Sequence, residues 1–170
     1  DATFVARSMD RDTKHLQEML KRSEAHQGTS FLEIYQNCNI FNDGAFETFT
    51  EKGSKAANAI FVEQGKPLIF GTDAQKGIVL DGLNPKIVSI GNEYSLDDLW
   101  IHDQHNLQKA QILSRMFDNP ADENAMPRPF GVLYQTQRAC YEQQIQYVVE
   151  KKGMGDLDAL IAGNETWTVL

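Results

Sequence analysis

Phe31-Leu-Glu-Ile-Tyr-Gln-Asn-Cys-Asn-Ile-Phe-Asn-Asp-Gly44 is the stretch on which the fold of this chain turns. Its first five residues read as a short strand and run directly into Gln36-Asn37-Cys38-Asn39. A polar turn then ends at Asp43-Gly44. Open α/β sheets build their sites on loops at the carboxyl ends of strands, and a thiol stands there. Neighbouring amides can donate hydrogen bonds to sulfur, which is how proteins tune thiolates and iron–sulfur clusters. By default the Asx residues beside Gly44 form the turn, and Asn37 and Asn39 are also candidates to orient the sulfur. Read by itself, Cys38 is either a small buried hydrophobe or a site residue. As a nucleophile it would need a base, and no local His or Asp pairing supplies one.

Working outward, Thr3 to Ala6 reads as a strand, and Asp12 suits the N-cap of a helix. Leu16, Met19, Leu20 and Ser23 fall at helical spacing, and Gly28 marks the stop. Residues 3–35 therefore form a β-α-β unit, expected to be parallel and right-handed. Leu32 and Ile34 are expected to be buried on one side of its sheet. Glu33 is either a paired strand charge or a polar group near a site. Residues 44–60 read as helix or wrapping loop. Beyond them, residues 59–62, 66–70, 77–80 and 86–90 are β-rich runs separated by turn signals, which predicts an antiparallel meander. Ser95-Leu-Asp-Asp98 resembles a capping box opening a short helix through Ile101. Leu107 to Met116 has a helical face, 119–129 reads as loop, and Phe130 to Tyr134 as a strand. Tyr141, Ile145, Val148 and Val149 mark a long helix, and Leu157, Leu160 and Ile161 a last turn.

The 170 residues carry a net charge of −8, and 41% are hydrophobic. Such a chain can bury one core with a small second lobe. The acidic balance argues against a general phosphate-backbone binder. No apolar run approaches the ~20 residues that span a bilayer. Two cysteines, Cys38 and Cys140, fit a reducing compartment and a cytoplasmic location. They are expected to be unpaired, with Cys140 packing at a helix start. His102 and His105 flank Asp103, but without a third ligand a solvated helix end is the better reading than a metal site.

The run EIYQNCNIFNDGAF, from Glu33 to Phe46, resembles the segment of the β subunit of 2-oxoacid:ferredoxin oxidoreductases that supplies one cysteine to a [4Fe–4S] cluster. Residues 2–8 and 14–20 resemble the strand and helix that precede it there. The runs 77–83, 97–103, 127–134, 150–153, 155–158 and 165–168 resemble the C-terminal extension, and overall likeness favours the 2-oxoglutarate-type branch. The resemblance implies that Cys38 is a cluster ligand. It also implies the C-terminal half of a thiamine-diphosphate-binding three-layer α/β fold, followed by an α+β extension with the antiparallel meander. Residues 1–58 would belong to the cofactor-binding domain and 59–170 to the extension.

The complete enzyme would use thiamine diphosphate, Mg²⁺ and a [4Fe–4S] cluster to convert a 2-oxoacid to acyl-CoA and reduce ferredoxin. Its partners would be the α subunit, ferredoxin, the 2-oxoacid and coenzyme A. The family's Gly-Asp-Gly-Asp segment and its C-x-x-C pair do not occur here; Gly155-Asp156-Leu157-Asp158 is a superficial echo. The chain, starting at Asp1, accordingly reads as part of a subunit, inactive and cofactor-free alone. It is expected to self-associate through a bare sheet edge at the strand beginning at Thr3, or through exchange of its N-terminal unit. Two other classes stay open: a non-catalytic interaction domain, and a thiol-dependent enzyme using Cys38.

Overall fold

The computed structural model describes residues 2–91, 93–116, 125–153, 155–163 and 167. Among these, two compact units divide at Gln137 and Arg138. The larger is mixed α/β. Its first strand, β1 (Phe4–Met9), is buried along nearly its whole length because sheet neighbours flank it on both sides. It pairs in parallel with β2 (Ser30–Tyr35), and helix α1 (Thr13–Ala25) makes the crossover. The Asp12 carboxylate caps that helix by accepting from the His15 amide at 3.3 Å. Met19 anchors α1 against Phe4, Ala6 and Val132, whereas Leu20 is exposed.

Two short helices follow, α2 (Glu47–Thr50) and α3 (Lys52–Asn58), which settles residues 44–60 as largely helical. Next comes β3 (Ala59–Val62), predicted to open the meander. It pairs instead in parallel with β7 (Arg128–Gln135), which lies antiparallel to β1. The sheet order is β2-β1-β7-β3. Ala59, Ile60 and Val62 are buried, as suits a strand covered on both faces. Gly131 permits the close pairing of β3 with β7. Its φ is +118°, and a Cβ there would stand 2.5 Å from the Val62 carbonyl oxygen. The sheet thus runs across residue 58, with strands from both sides of it. The strand at Thr3, expected to carry a bare edge, is interior; β2 and β3 are the edges.

The meander is three-stranded: β4 (Ile69–Phe70), β5 (Lys76–Asp81) and β6 (Asn84–Ser89), all antiparallel. Ile60 and Val62 of the first sheet meet Phe70 and Ile78 of the second in the largest apolar cluster, together with Trp100 and Leu113. The chain from Leu99 to His102 is threaded between them: the Trp100 amide donates to Ile78, and its carbonyl accepts from Leu68. Ser95 and Asp98 do form the predicted capping box. It opens only a single 3₁₀ turn, Leu96–Asp98, because Leu99 and Trp100 are drawn into the core in extended form. Helix α4 (Leu107–Ser114), capped by Asn106, packs Ala110 and Leu113 inward and lies against β7. Of the predicted loop 119–129, residues 119–124 lie outside the described residues, and Arg128 and Pro129 belong to β7.

Leu32 is half-buried, but Ile34 is 42% exposed, against expectation. With β2 at the sheet edge, no strand among the described residues flanks its outer side. Glu33 is a paired strand charge, held by Arg7. The smaller unit contains α5 (Tyr141–Lys152) and α6 (Leu157–Ala162), which have no buried residue among those described. No helix among the described residues is long and apolar enough to cross a membrane.

Candidate functional site

The loop after β2 is fastened at both ends. Tyr35, the last residue of the strand, is buried and stacks on Phe46 with ring centroids 4.3 Å apart. Phe130 meets the Tyr35 ring edge-on at 5.5 Å, and the Tyr35 hydroxyl accepts from Arg128 Nη1 at 2.7 Å. At the entrance, the Asp10 amide donates to the Tyr35 carbonyl, and the Asp10 carboxylate accepts from the Asn37 amide at 3.1 Å. The carboxyl ends of β1 and β2 thereby share one hydrogen-bonded platform.

Asn37 organises what stands on that platform. Its side-chain nitrogen donates to Asn39 Oδ1 at 2.9 Å and to Asp43 Oδ1 at 3.0 Å. Its side-chain oxygen accepts from the Gly44 amide at 2.9 Å, where φ is +74° and glycine is favoured. The Asn42 amide closes the turn onto the Cys38 carbonyl at 2.9 Å. Asn37, Asn39, Asp43 and Gly44 are therefore turn formers. The Asn37 amide is spent on oxygens, not on sulfur.

Cys38 lies on this loop, just beyond its strand, as the sequence predicts. It is half-buried, and both cysteines are free thiols. The backbone amides of Phe41 and then Ile40 hold the Cys38 thiol below its ordinary pKa, against an opposing effect of burial that outweighs the lesser help of the Asn42 amide. Main-chain amides thus face the sulfur, and the Asx side chains take the turn-forming role that was their default reading. The residues that donate them expose large apolar side chains, Ile40 by 82% and Phe41 by 89%.

The other candidates go elsewhere. His102 is buried and donates from Nε2 to the Val132 carbonyl at 2.8 Å; burial lowers its pKa. His105 Nδ1 donates to the Gln135 carbonyl at 2.8 Å. Both tie the segment before α4 to β7; His102 is buried, against the solvated reading, whereas His105 is exposed. Cys140 precedes α5, and its amide donates to Gln143. Among the described residues no group of three His, Cys, Asp or Glu side chains comes together to hold a metal ion. Cys38 could therefore serve a cluster only as one ligand in a shared set. Sequence reading missed a pair beside the platform: Ser8 Oγ and His15 Nδ1 lie 2.8 Å apart, with burial lowering the His15 pKa. Ser8 is fully buried, which leaves it a structural partner and not a nucleophile.

Known proteins with the same pattern sharpen this picture. No protein-family model matches the chain. The 2-oxoglutarate oxidoreductase subunit KorB of Mycobacterium tuberculosis is 30% identical over 177 residues, covering 99% of this chain and 46% of that subunit. The chain resembles part of a 2-oxoacid:ferredoxin oxidoreductase β subunit. The β subunit of the 2-oxoacid:ferredoxin oxidoreductase from Saccharolobus solfataricus is 42% identical over 41 residues, 24% of this chain and 13% of that subunit. In fold, the chain is similar to a 2-oxoglutarate:ferredoxin oxidoreductase from Magnetococcus marinus, solved with 2-oxoglutarate, coenzyme A and succinyl-CoA bound. That likeness has a TM-score of 0.55 at 19% identity and covers 96% of this chain and 41% of the other. The chain spans about half the length of its Mycobacterium relative. Its relatives are oxidoreductases.

Proposed function

We propose that this chain is the C-terminal part of the β subunit of a 2-oxoglutarate-type 2-oxoacid:ferredoxin oxidoreductase, with Cys38 as one of four cysteine ligands to a [4Fe–4S] cluster. The complete, cytoplasmic enzyme would oxidatively decarboxylate its 2-oxoacid with coenzyme A and pass the electrons to ferredoxin. The observation that carries this reading is similarity along 99% of this chain to 46% of a 2-oxoglutarate oxidoreductase subunit, in a chain whose Cys38 stands on a braced loop at a strand's carboxyl end.

When bound, such a cluster supplies a one-electron store whose potential depends on hydrogen bonds to its sulfurs and on solvent exposure. What this chain contributes is position and charge stabilisation. The Asp10 and Asn37 contacts fix the loop, and the amides of Phe41 and Ile40 favour the thiolate that iron requires. Cys38 fits the role. The residues for thiamine diphosphate do not: Asp156, in the segment that echoes the family's, accepts from the amides of Asp158 and Ala159 and caps α6. Mg²⁺ and the diphosphate would be held by the rest of the subunit. On this reading residues 1–58 belong to the cofactor-binding layer, a half of the three-layer fold, and 59–170 to the extension that meets the α subunit and whose strands β3 and β7 complete the layer's sheet.

The test is substrate preference in the complete enzyme. Coenzyme A-dependent ferredoxin reduction should be faster with 2-oxoglutarate than with pyruvate at equal subsaturating concentrations. A preference for pyruvate would contradict the 2-oxoglutarate assignment, and no turnover of any 2-oxoacid would contradict the whole reading.

A further inference from the structure

Helix α5 is twelve residues long and carries one continuous apolar stripe. Tyr141, Ile145 and Val148 recur at spacings of four and three, Val149 widens the stripe, and the Lys152 stem continues it. All four apolar residues are exposed, from 45% at Val148 to 74% at Tyr141. A lone helix of this length is marginal in water and gains its stability from burying such a face. Leu157, Leu160 and Ile161 of α6 are exposed as well. The larger unit is different in kind, since it has its own buried clusters. The smaller unit is therefore built to be covered.

Charge indicates what covers it. The first turn of α5 carries Glu142 and the last turn Lys151 and Lys152. Two copies related by a two-fold axis at the middle of α5 would run antiparallel. That arrangement sets the acidic end of each helix beside the basic end of the other and opposes their dipoles. Ile145 then faces Val148 of the second copy, and Tyr141 faces the Lys152 stem. Parallel pairing would bring like ends together. At about 100 Å² for each covered side chain, the α5 stripe alone offers about 1,000 Å² for the pair. That reaches the ~1,000 Å² that marks a specific interface, and the α6 residues add to it. We infer that the exposed face of α5 is a self-complementary docking surface that takes α5 of a second copy of this chain, antiparallel, about a two-fold axis.

Sedimentation of the 170-residue chain across a dilution series tests this. The chain should be a dimer at tens of micromolar, and Ile145→Asp should weaken the dimer about a hundredfold, since the loss occurs twice per pair. Glu142→Lys alone, and Lys151→Glu with Lys152→Glu, should each weaken it; the three changes together should restore it. Oxidation should not link Cys140 to its counterpart, which antiparallel pairing holds ~20 Å away along the axis. A clean monomer at high micromolar concentration overturns the inference, as does a chain captured only by a co-expressed α subunit. So does a dimer indifferent to Ile145→Asp, which would place the contact at another surface such as the β2 edge. A Cys140–Cys140 disulfide, or failure of the charge swap to restore association, overturns the antiparallel arrangement.

Discussion

Cys38→Ser in the complete enzyme should abolish the visible absorbance of the cluster and lower ferredoxin reduction by more than about 100-fold, the upper end of what losing even an outer-shell partner costs. Serine offers a hard oxygen that is not ionised at neutral pH, where the cluster needs a soft thiolate. The amides of Phe41 and Ile40 would then have no sulfur charge to stabilise. On the proposed reading, which puts the thiamine diphosphate ligands elsewhere in the subunit, thiamine diphosphate content should stay at the wild-type level. In the isolated chain the same change should leave stability within ~0.5 kcal/mol, since Cys38 is a half-buried loop residue outside the apolar clusters and helix caps. That pair of measurements separates ligation from folding. Full ferredoxin reduction by the variant would remove Cys38 from the cluster, and a collapse of the isolated chain would make the residue structural.

Phe130→Ala should have the largest effect on stability. The side chain is fully buried on β7, with its ring centroid 5.5 Å from Tyr35 and 5.7 Å from Phe61, against which it stacks. Truncating a buried phenylalanine costs about 3–5 kcal/mol, a large share of the ~5–15 kcal/mol that holds a domain together. The cavity would open beneath Tyr35, at the root of the Cys38 loop, so that loop should lose order before the sheet does. Urea unfolding of the 170-residue chain measures the first effect, and proteolysis between Tyr35 and Phe46 the second. A loss below ~1 kcal/mol would mean that β7 does not pack against the end of β2 as described.

How much of this was legible beforehand depended on whether the cause was local. The β1–α1–β2 unit was, because Asp12 caps its own helix and the apolar spacing of Leu16 and Met19 follows from one turn of backbone. The capping box at Ser95 was legible for the same reason, but its length was not: burial of Trp100, a tertiary effect, ends it after one turn. The run Ala59 to Val62 was correctly a strand and wrongly placed, since a short apolar strand says nothing of its partner, and its partner is about seventy residues away. Ile34 failed for the complementary reason. Its strand was read correctly, but nothing local marks β2 as an edge.

At the site, the position of Cys38 followed directly from the strand pattern before it. The bracing by Asn37 across seven residues to Gly44 was hidden among four Asx residues of equal standing. The Tyr35–Phe46–Phe130 clamp joins residues too far apart for any periodicity to reveal.

The proposed ligand role of Cys38 is tested most directly by its accessibility in the anaerobically purified, complete enzyme. Alkylation followed by mass spectrometry would compare Cys38 with Cys140, before and after the cluster is stripped by oxidant and chelator. Cys38 should resist labelling while the cluster is present and label readily once it is gone, its thiolate being favoured by the loop amides. Cys140 should label alike in both states. Equal labelling of Cys38 with and without the cluster would contradict its assignment as a cluster ligand.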